Sequence, residues 1–416
     1  MIKLNFDVKI NYLKNGLEVL TIKKDTQISS INIGVNVGAM NESLEEKGIS
    51  HFIEHMLFKG TKKRNNEVLN RGLESLGGEY NAYTDYNSTV YTISCLSEEL
   101  NNGVILLGDM ITSSVFSKEE IEKERGVILS EMRSSKDDIE DFSFKKINEE
   151  AFTVSPLRYD VTGTEKIVTK LKREKIIEFY KKYYVPKNAL VTMVSSMEHD
   201  EALKLVEKEF SEWEGESSIE DILIEEKNLN KRVVSYKKDI EQNTIVYLFT
   251  FYDLLKIEEL PLRILNHRLG ESANSLLFRE VRENRGLAYD IYTHLDISKN
   301  VKALYIYTSV AKEDVEEAIQ AIDDTINSII TGKVVFGDED LKIMKKVHKT
   351  AVISTLEDSS ELCNYILHQE LDGDDIYEFV NDMKELNNLN KEKIINVARK
   401  VLKEPTIHVL TTKKEK

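Results

Sequence analysis

From residue 8 the chain alternates apolar and polar positions in two runs, "YLKNGLEVLTI" and "SSINIGVNVGA", which read as strands as far as about residue 38. The first run carries Asn15-Gly16, the dipeptide that a tight hairpin turn favours. The period then lengthens to that of helices at about 50–58, 65–76, 97–115 and 118–135, with one further strand at "STVYTISC". Ser117 followed by Glu120 is a capping box that starts the last of these helices. Helices near 143–152 and 172–182, the strand "NALVTMVSS" and a helix at 199–212 complete this half. Strands and helices mix without regular βαβ alternation, so the expected class is α+β rather than a doubly wound parallel sheet.

Near residues 214–230 the pattern gives way to the polar, acidic stretch "GESSIEDILIEEKNLNK". After it the order restarts: a strand "NTIVYLFTFY", helices at about 258–284, a strand "VKALYIYTSV", helices at 312–330, 338–354, 358–370 and 391–402, and a closing strand "TIHVLTT". Sliding the second half back by 212 positions places "RILNHRL" under "HFIEHML", so that Arg263 falls on His51, Asn266 on Glu54 and His267 on His55. The expected organisation is therefore two homologous domains, each a mainly antiparallel sheet packed against helices. Residues 1–215 form the first, 216–230 a linker, and 231–416 the second.

A chain of 416 residues is long for one core, which agrees with two domains. The formal net charge of −16 argues against nucleic acid, whose phosphates need a cationic surface, and leaves room for cationic partners. Two cysteines, Cys95 and Cys363, make no disulfide framework, and their separation does not fit a metal knuckle. With no signal-peptide pattern in "MIKLNFDVKINYLKNG" and no apolar run of membrane-spanning length, the expected location is cytoplasmic.

The chemistry is concentrated in "GISHFIEHMLFKGT", residues 48–61. On a helix, residues at i, i+3 and i+4 share a face, so His51, Glu54 and His55 project together. Two imidazoles one turn apart suit a tetrahedral Zn²⁺, and a carboxylate beside them can hold the bound water without being a ligand. Zinc lowers the pKa of that water from about 16 to about 7, and the carboxylate can take its proton. The arrangement is H-x-x-E-H, the inverzincin order. A catalytic zinc needs a third protein ligand, and the acid-rich stretch "SKEEIEKERGVILSEMRSSKDD" offers several. Glu124 and Glu131 lie seven apart, on a face shared with Ile121 and Ile128, where a carboxylate needs a partner. Glu131 is thus the candidate ligand, and Glu124 is placed to orient either a ligand or the water.

These residues resemble the pitrilysin and insulinase-type zinc metallopeptidases, in particular the branch of mitochondrial and bacterial processing peptidases. In that family a glutamate ligand follows H-x-x-E-H after some 75 residues and is preceded seven positions earlier by another glutamate. Here 75 residues separate His55 from Glu131, and Glu124 holds the earlier place. The likeness continues through "LGGEYNAYTDYNSTVY", "SPLRYDVTGTEKI", "YYVPKNAL" and "LLFREVRENRGLAYDIY". It implies one zinc per chain and a substrate-binding role for Asn81, Arg282 and Tyr289. It also implies a dimer, with itself or with a homologous chain, that encloses a chamber. Two departures stand out: Asn87, where many relatives have glutamate, and "LGESANSLLF" in place of a glycine-rich run. The other histidines, His199, His267, His294, His348, His368 and His408, lack ligand spacing.

The function expected from these features is zinc-dependent endoproteolysis of short or unfolded peptides, with Glu54 as catalytic base. The alternative is a scaffold or regulatory subunit paired with a homologous peptidase chain. Such a subunit usually loses a ligand or the base, and this chain keeps His51, Glu54, His55 and Glu131.

Overall fold

A computed structural model describes residues 6–216, 223–333 and 337–412. In the first half the elements are β1 (Asp7–Tyr12), β2 (Glu18–Lys23), β3 (Ile28–Val35), α1 (Ile49–Leu57), α2 (Asn66–Ser75), β4 (Glu79–Thr84) and β5 (Thr89–Leu96). They continue with α3 (Leu100–Ser113), α4 (Lys118–Asp137), α5 (Ile139–Ala151), α6 (Glu165–Val168), α7 (Arg173–Tyr183), β6 (Ala189–Ser195) and α8 (His199–Phe210). The second half has β7 (Lys231–Tyr236), β8 (Asn243–Thr250), α9 (Glu259–Asn266), β9 (Ala288–Ser298), β10 (Val301–Val310) and α10 (Val315–Ile330). It ends with α11 (Asp338–Glu357), α12 (Ser359–Asp372), α13 (Glu378–Asn388), α14 (Lys391–Val401) and β11 (Thr406–Thr411).

The first sheet has the order β1-β2-β6-β3-β5-β4, antiparallel except where β2 runs beside β6. The second has the order β7-β11-β8-β10-β9, again antiparallel except for β7 beside β11. Without β1, the two orders correspond strand for strand: in each, the last strand of the half inserts between the first two. The α+β class and the internal duplication expected from sequence are both present in this topology.

The compact units are not two continuous stretches. One comprises residues 1–132, 160–222 and 352–380; the other comprises 133–159, 223–351 and 381–416. Helix α12, from late in the chain, packs on β3 and β6 of the first sheet, while α5, from early in the chain, packs on β8 and β11 of the second. Packing therefore departs from the contiguous division 1–215 and 231–416, because each sheet is covered on one face by a helix from the other half. The linker expected at 216–230 lies partly outside the described residues.

Covering both faces explains the long apolar strands. Every residue of β6 is buried. On one side Ile31, Ile33 and Val35 meet Phe52, Ile53 and Met56 of α1 and Leu107 of α3. On the other, Leu20, Ile22, Leu190 and Val194 meet Leu362, Cys363, Ile366 and Leu367 of α12. In the second unit Phe144 of α5 meets Tyr305 edge-on and stacks on Tyr307, and Ser143 Oγ bonds Thr244 Oγ1 at 2.5 Å.

One element differs plainly from the periodicity. The helical pattern at 258–284 is not one helix: α9 ends at Asn266, a π-helical turn spans His267–Glu271, and a second π-helical segment spans Phe278–Asn284. The break falls at "GESANS", where small polar residues favour turns. Gly270 packs so closely on β9 that a Cβ there would lie 2.5 Å from Thr293 Cγ2. None of the described residues forms a helix long and apolar enough to cross a membrane.

Candidate metal centre

The candidate ligands come from two helices of the first unit. α1 begins at Gly48, whose φ of 94° suits only a residue without Cβ and whose backbone meets Thr162 and Gly163. Buried Glu42 accepts hydrogen bonds from Gly48 N and Ser50 N, both at 2.9 Å, and so satisfies two donors at the helix start. Burial pushes its carboxyl up to about 7, against the pull of those donors and of Lys47. α1 is therefore pinned at the turn before its first histidine.

One turn apart, the rings of His51 and His55 meet edge-on with centroids 4.5 Å apart. Glu131, on α4, reaches between them, with Oε1 3.7 Å from His51 Nε2 and Oε2 3.7 Å from His55 Nε2. These separations are too long for hydrogen bonds and close to the roughly 3.4 Å between neighbouring ligands of a tetrahedral zinc with bonds of about 2.1 Å. Among the described residues, this is the only group of three His, Cys, Asp or Glu side chains whose ligand atoms all fall within 4.8 Å of one another. Two nitrogens and a carboxylate oxygen are a donor set that zinc accepts, and they leave a coordination position open.

Glu124 occupies the adjoining place. Its Oε1 lies 3.0 Å from His55 Nδ1, and its Oε2 takes the Lys59 ammonium at 2.9 Å. With Nδ1–H donating to this carboxylate, the lone pair of His55 is held on Nε2, facing Glu131. Burial raises the Glu124 pKa, but the bonds from His55 and Lys59 outweigh it and hold the carboxyl below its usual range.

Glu54 projects from the same face of α1. Its carboxyl is raised above the ordinary value chiefly by burial, while a hydrogen bond from Thr84 opposes the shift. That bond is short, with Thr84 Oγ1 donating to Glu54 Oε2 at 2.6 Å.

The shared face expected of Glu124 and Glu131 needs one correction. Ile121, Glu124, Ile128 and Met132 form the buried stripe of α4, whereas Glu131 flanks it and is 45% exposed in its side chain. Its exposure leaves that side of the site open to solvent.

Asn81 lies on β4, an edge strand, paired with Thr92; its side chain is exposed and accepts from Ala82 N at 2.9 Å. Arg282 and Tyr289 belong to the other unit, where the structure brings them together. The Arg282 guanidinium stands 4.8 Å from the Phe278 ring centroid and 5.9 Å from that of Tyr289, which is 73% exposed. Asn87 sits in the turn after β4, with its backbone N donating to Asp85 Oδ1 at 2.6 Å. Three contributors escaped sequence reasoning: Glu42, Lys59 and Thr84. Two of them lie in stretches that stood out in the sequence, Lys59 in "GISHFIEHMLFKGT" and Thr84 at the end of "NAYT" beside the expected Asn81, but neither role could be assigned there.

A family model for insulinase, peptidase family M16, matches residues 18–165, and one for the "Peptidase M16 inactive domain" matches residues 170–347. A protein of Rickettsia bellii, named an uncharacterized zinc protease, is 33% identical over 324 residues, which is 76% of each chain. The chain belongs to peptidase family M16. A second M16 relative, the uncharacterized zinc protease YmxG of Bacillus subtilis, is 26% identical and covers 94% of this chain and 95% of its own. Among solved structures, a protease from Helicobacter pylori superposes with a TM-score of 0.90 over 98% of this chain and 99% of that one. At 21% identity this likeness speaks for the M16 fold alone.

Proposed function

We propose that this M16 protein is a zinc-dependent endopeptidase for short or unfolded peptides, with one Zn²⁺ per chain on His51, His55 and Glu131 and with Glu54 as base. The observation that carries the reading is the convergence of three ligand atoms within 4.8 Å, with Glu54 on the same helix. When bound, zinc supplies an acidified water and a Lewis acid for the scissile carbonyl. Glu54 takes the proton of the attacking water on its carboxylate and returns it to the leaving amine. Thr84 donates to Oε2, which leaves Oε1 the oxygen free of that bond to take the proton. Glu124 keeps His55 in the tautomer and orientation a metal requires.

Substrate binding follows from β4 and from the second unit. β4 is the last strand of its sheet, so an extended peptide can add beside it, with Asn81 bonding the peptide backbone. Arg282 and Tyr289 supply a cation and a phenol suited to a developing oxyanion. Selectivity comes from a chamber closed by a second copy or a homologous chain, so the active form is a dimer. The net charge of −16 favours cationic peptides. Both cysteines are free and buried, which fits a reducing compartment such as the cytoplasm. The alternative of a scaffold or regulatory subunit expects a missing ligand or base, and all four are present.

Chelator-stripped protein tests the reading. Cleavage of unstructured peptides, followed by mass spectrometry, should vanish on stripping and return with one equivalent of zinc per chain. Cleavage that survives stripping contradicts the proposal.

A further inference from the structure

Successive side chains of a strand point to opposite faces of its sheet, so Tyr83 and Thr84 at the end of β4 reach in opposite directions. Thr84 reaches the metal-binding helix and donates to Glu54 Oε2 at 2.6 Å. Tyr83 reaches α12 on the far face. Its hydroxyl donates to Asn364 Oδ1 at 2.7 Å and lies 2.6 Å from His368 Nε2, and its ring stacks on His368 with centroids 5.9 Å apart. A tyrosine hydroxyl has one proton and two lone pairs, so it gives its proton to Asn364 and accepts the His368 N–H. β4 is thus gripped from both faces at adjacent residues, by α1 and by a helix from the other half of the chain.

We propose that Thr84 is a positioning residue for Glu54, and that α12 holds Thr84 in place through Asn364, His368 and Tyr83. The proposal rests on Glu54 acting as the base. A glutamate side chain turns about three bonds, and as a base its carboxylate must stand ready for one water. The bond from a β-branched residue, itself fixed in a sheet, holds one oxygen and directs the other to the proton. Asn364 and His368 lie on α12, which is anchored independently: Thr192 Oγ1 donates to Cys363 O at 3.1 Å, and Leu367 and Leu371 close on Gly34. The helix that covers the first sheet therefore also sets the geometry of the candidate base.

The test compares zinc-loaded Thr84→Val, Thr84→Ser and Tyr83→Phe with wild type and Glu54→Gln. It measures kcat, KM, zinc content and melting temperature, and adds crystal structures of metal-free wild type and Thr84→Val. Thr84→Val should lower kcat about ten-fold or more, with KM and zinc content held within about two-fold, because a hydrogen bond to a charged group is lost. Thr84→Ser should restore most of it. Tyr83→Phe should lower kcat by a smaller factor, about three-fold. In the Thr84→Val crystal, the Glu54 carboxylate should leave its wild-type position. Wild-type kcat in Thr84→Val alongside an inactive Glu54→Gln overturns the positioning role while leaving the base intact. An unmoved Glu54 carboxylate in the crystal overturns it as well, as does a Thr84→Val defect that tracks loss of zinc or of melting temperature and is not rescued by serine. Wild-type kcat in Tyr83→Phe with Thr84→Val impaired removes α12 from the proposal. A fully active Glu54→Gln overturns the base, and this inference with it.

Discussion

Helices α1 and α9 occupy matching places in two sheets of the same strand order, yet among the described residues only α1 presents a group of side chains that could hold a metal. On α1, His51 and His55 meet Glu131, while Glu124 accepts from the back of His55. On α9 and the turn that continues it the matching positions are Arg263, Asn266 and His267. There Asn266 Nδ2 donates to Glu271 Oε1 at 2.6 Å, and His267 Nδ1 stands 3.6 Å from Glu271 Oε2. Glu271 is thus engaged locally by the π-helical turn that continues α9, and a cationic Arg263 replaces the first imidazole. The scaffold alone does not make the site. It takes an acid on the neighbouring long helix, and α4 supplies two.

The widest contrast should come from removing His55 and its counterpart His267. His55→Ala should lose both zinc and turnover, by more than about a thousand-fold, whereas His267→Ala should keep its zinc and stay within about two-fold in activity. Metal analysis and peptide digestion on the same samples decide this, and equal effects of the two substitutions would break the comparison. Next is Glu124→Gln, which leaves His55 Nδ1 without its carboxylate. Zinc affinity, measured by competition with a chelator, should weaken about ten- to hundred-fold; unchanged affinity would make Glu124 only a partner of Lys59.

The contrast extends to acid stability. His55 has a carboxylate partner, but His408 on β11 is wholly buried and neither ring nitrogen has a hydrogen-bond partner. Burial first, and then Lys146 on the covering helix α5, push its pKa down to about 4, against the opposing pull of Glu150 and Glu149. Because this folded value lies below the ordinary 6.5, the contribution of the neutral ring is complete above about pH 6.5 and is lost as pH falls towards 4. From pH 7 to pH 5 the loss is about 2 kcal/mol. Unfolding in denaturant should show a shallower acid limb for His408→Leu by about that amount; parallel curves would exclude the assignment. The smallest effect is a null one. Arg263→His with Asn266→Glu should leave the stoichiometry at one zinc per chain, and a second bound zinc would show that α9 lacks only its side chains.

How much of this was legible depended on how far each segment buries an apolar face. Helices α1, α4 and α10 followed their periodicity to within about three residues, because their stripes face a core. Strand β4 is not legible in "EYNAYT", which lies at an edge, half exposed and without alternation, and β9, at the edge of the second sheet, is likewise only partly buried. The exchange of α5 and α12 could not be read at all, because the chain does not record which sheet a helix covers. The H-x-x-E-H spacing and the distance to Glu131 are local or countable features and were legible. Thr84 and Glu42 were not, because their roles depend on which side chain a fold brings opposite them.

The central claim is that α1 carries a base that is distinct from the metal ligands beside it, and zinc-loaded Glu54→Gln tests it most directly. Titrated with zinc and assayed on the same unstructured peptide, this variant should bind one equivalent as wild type does, with kcat reduced at least about a hundred-fold. Cleavage at the wild-type rate with full zinc would contradict the account.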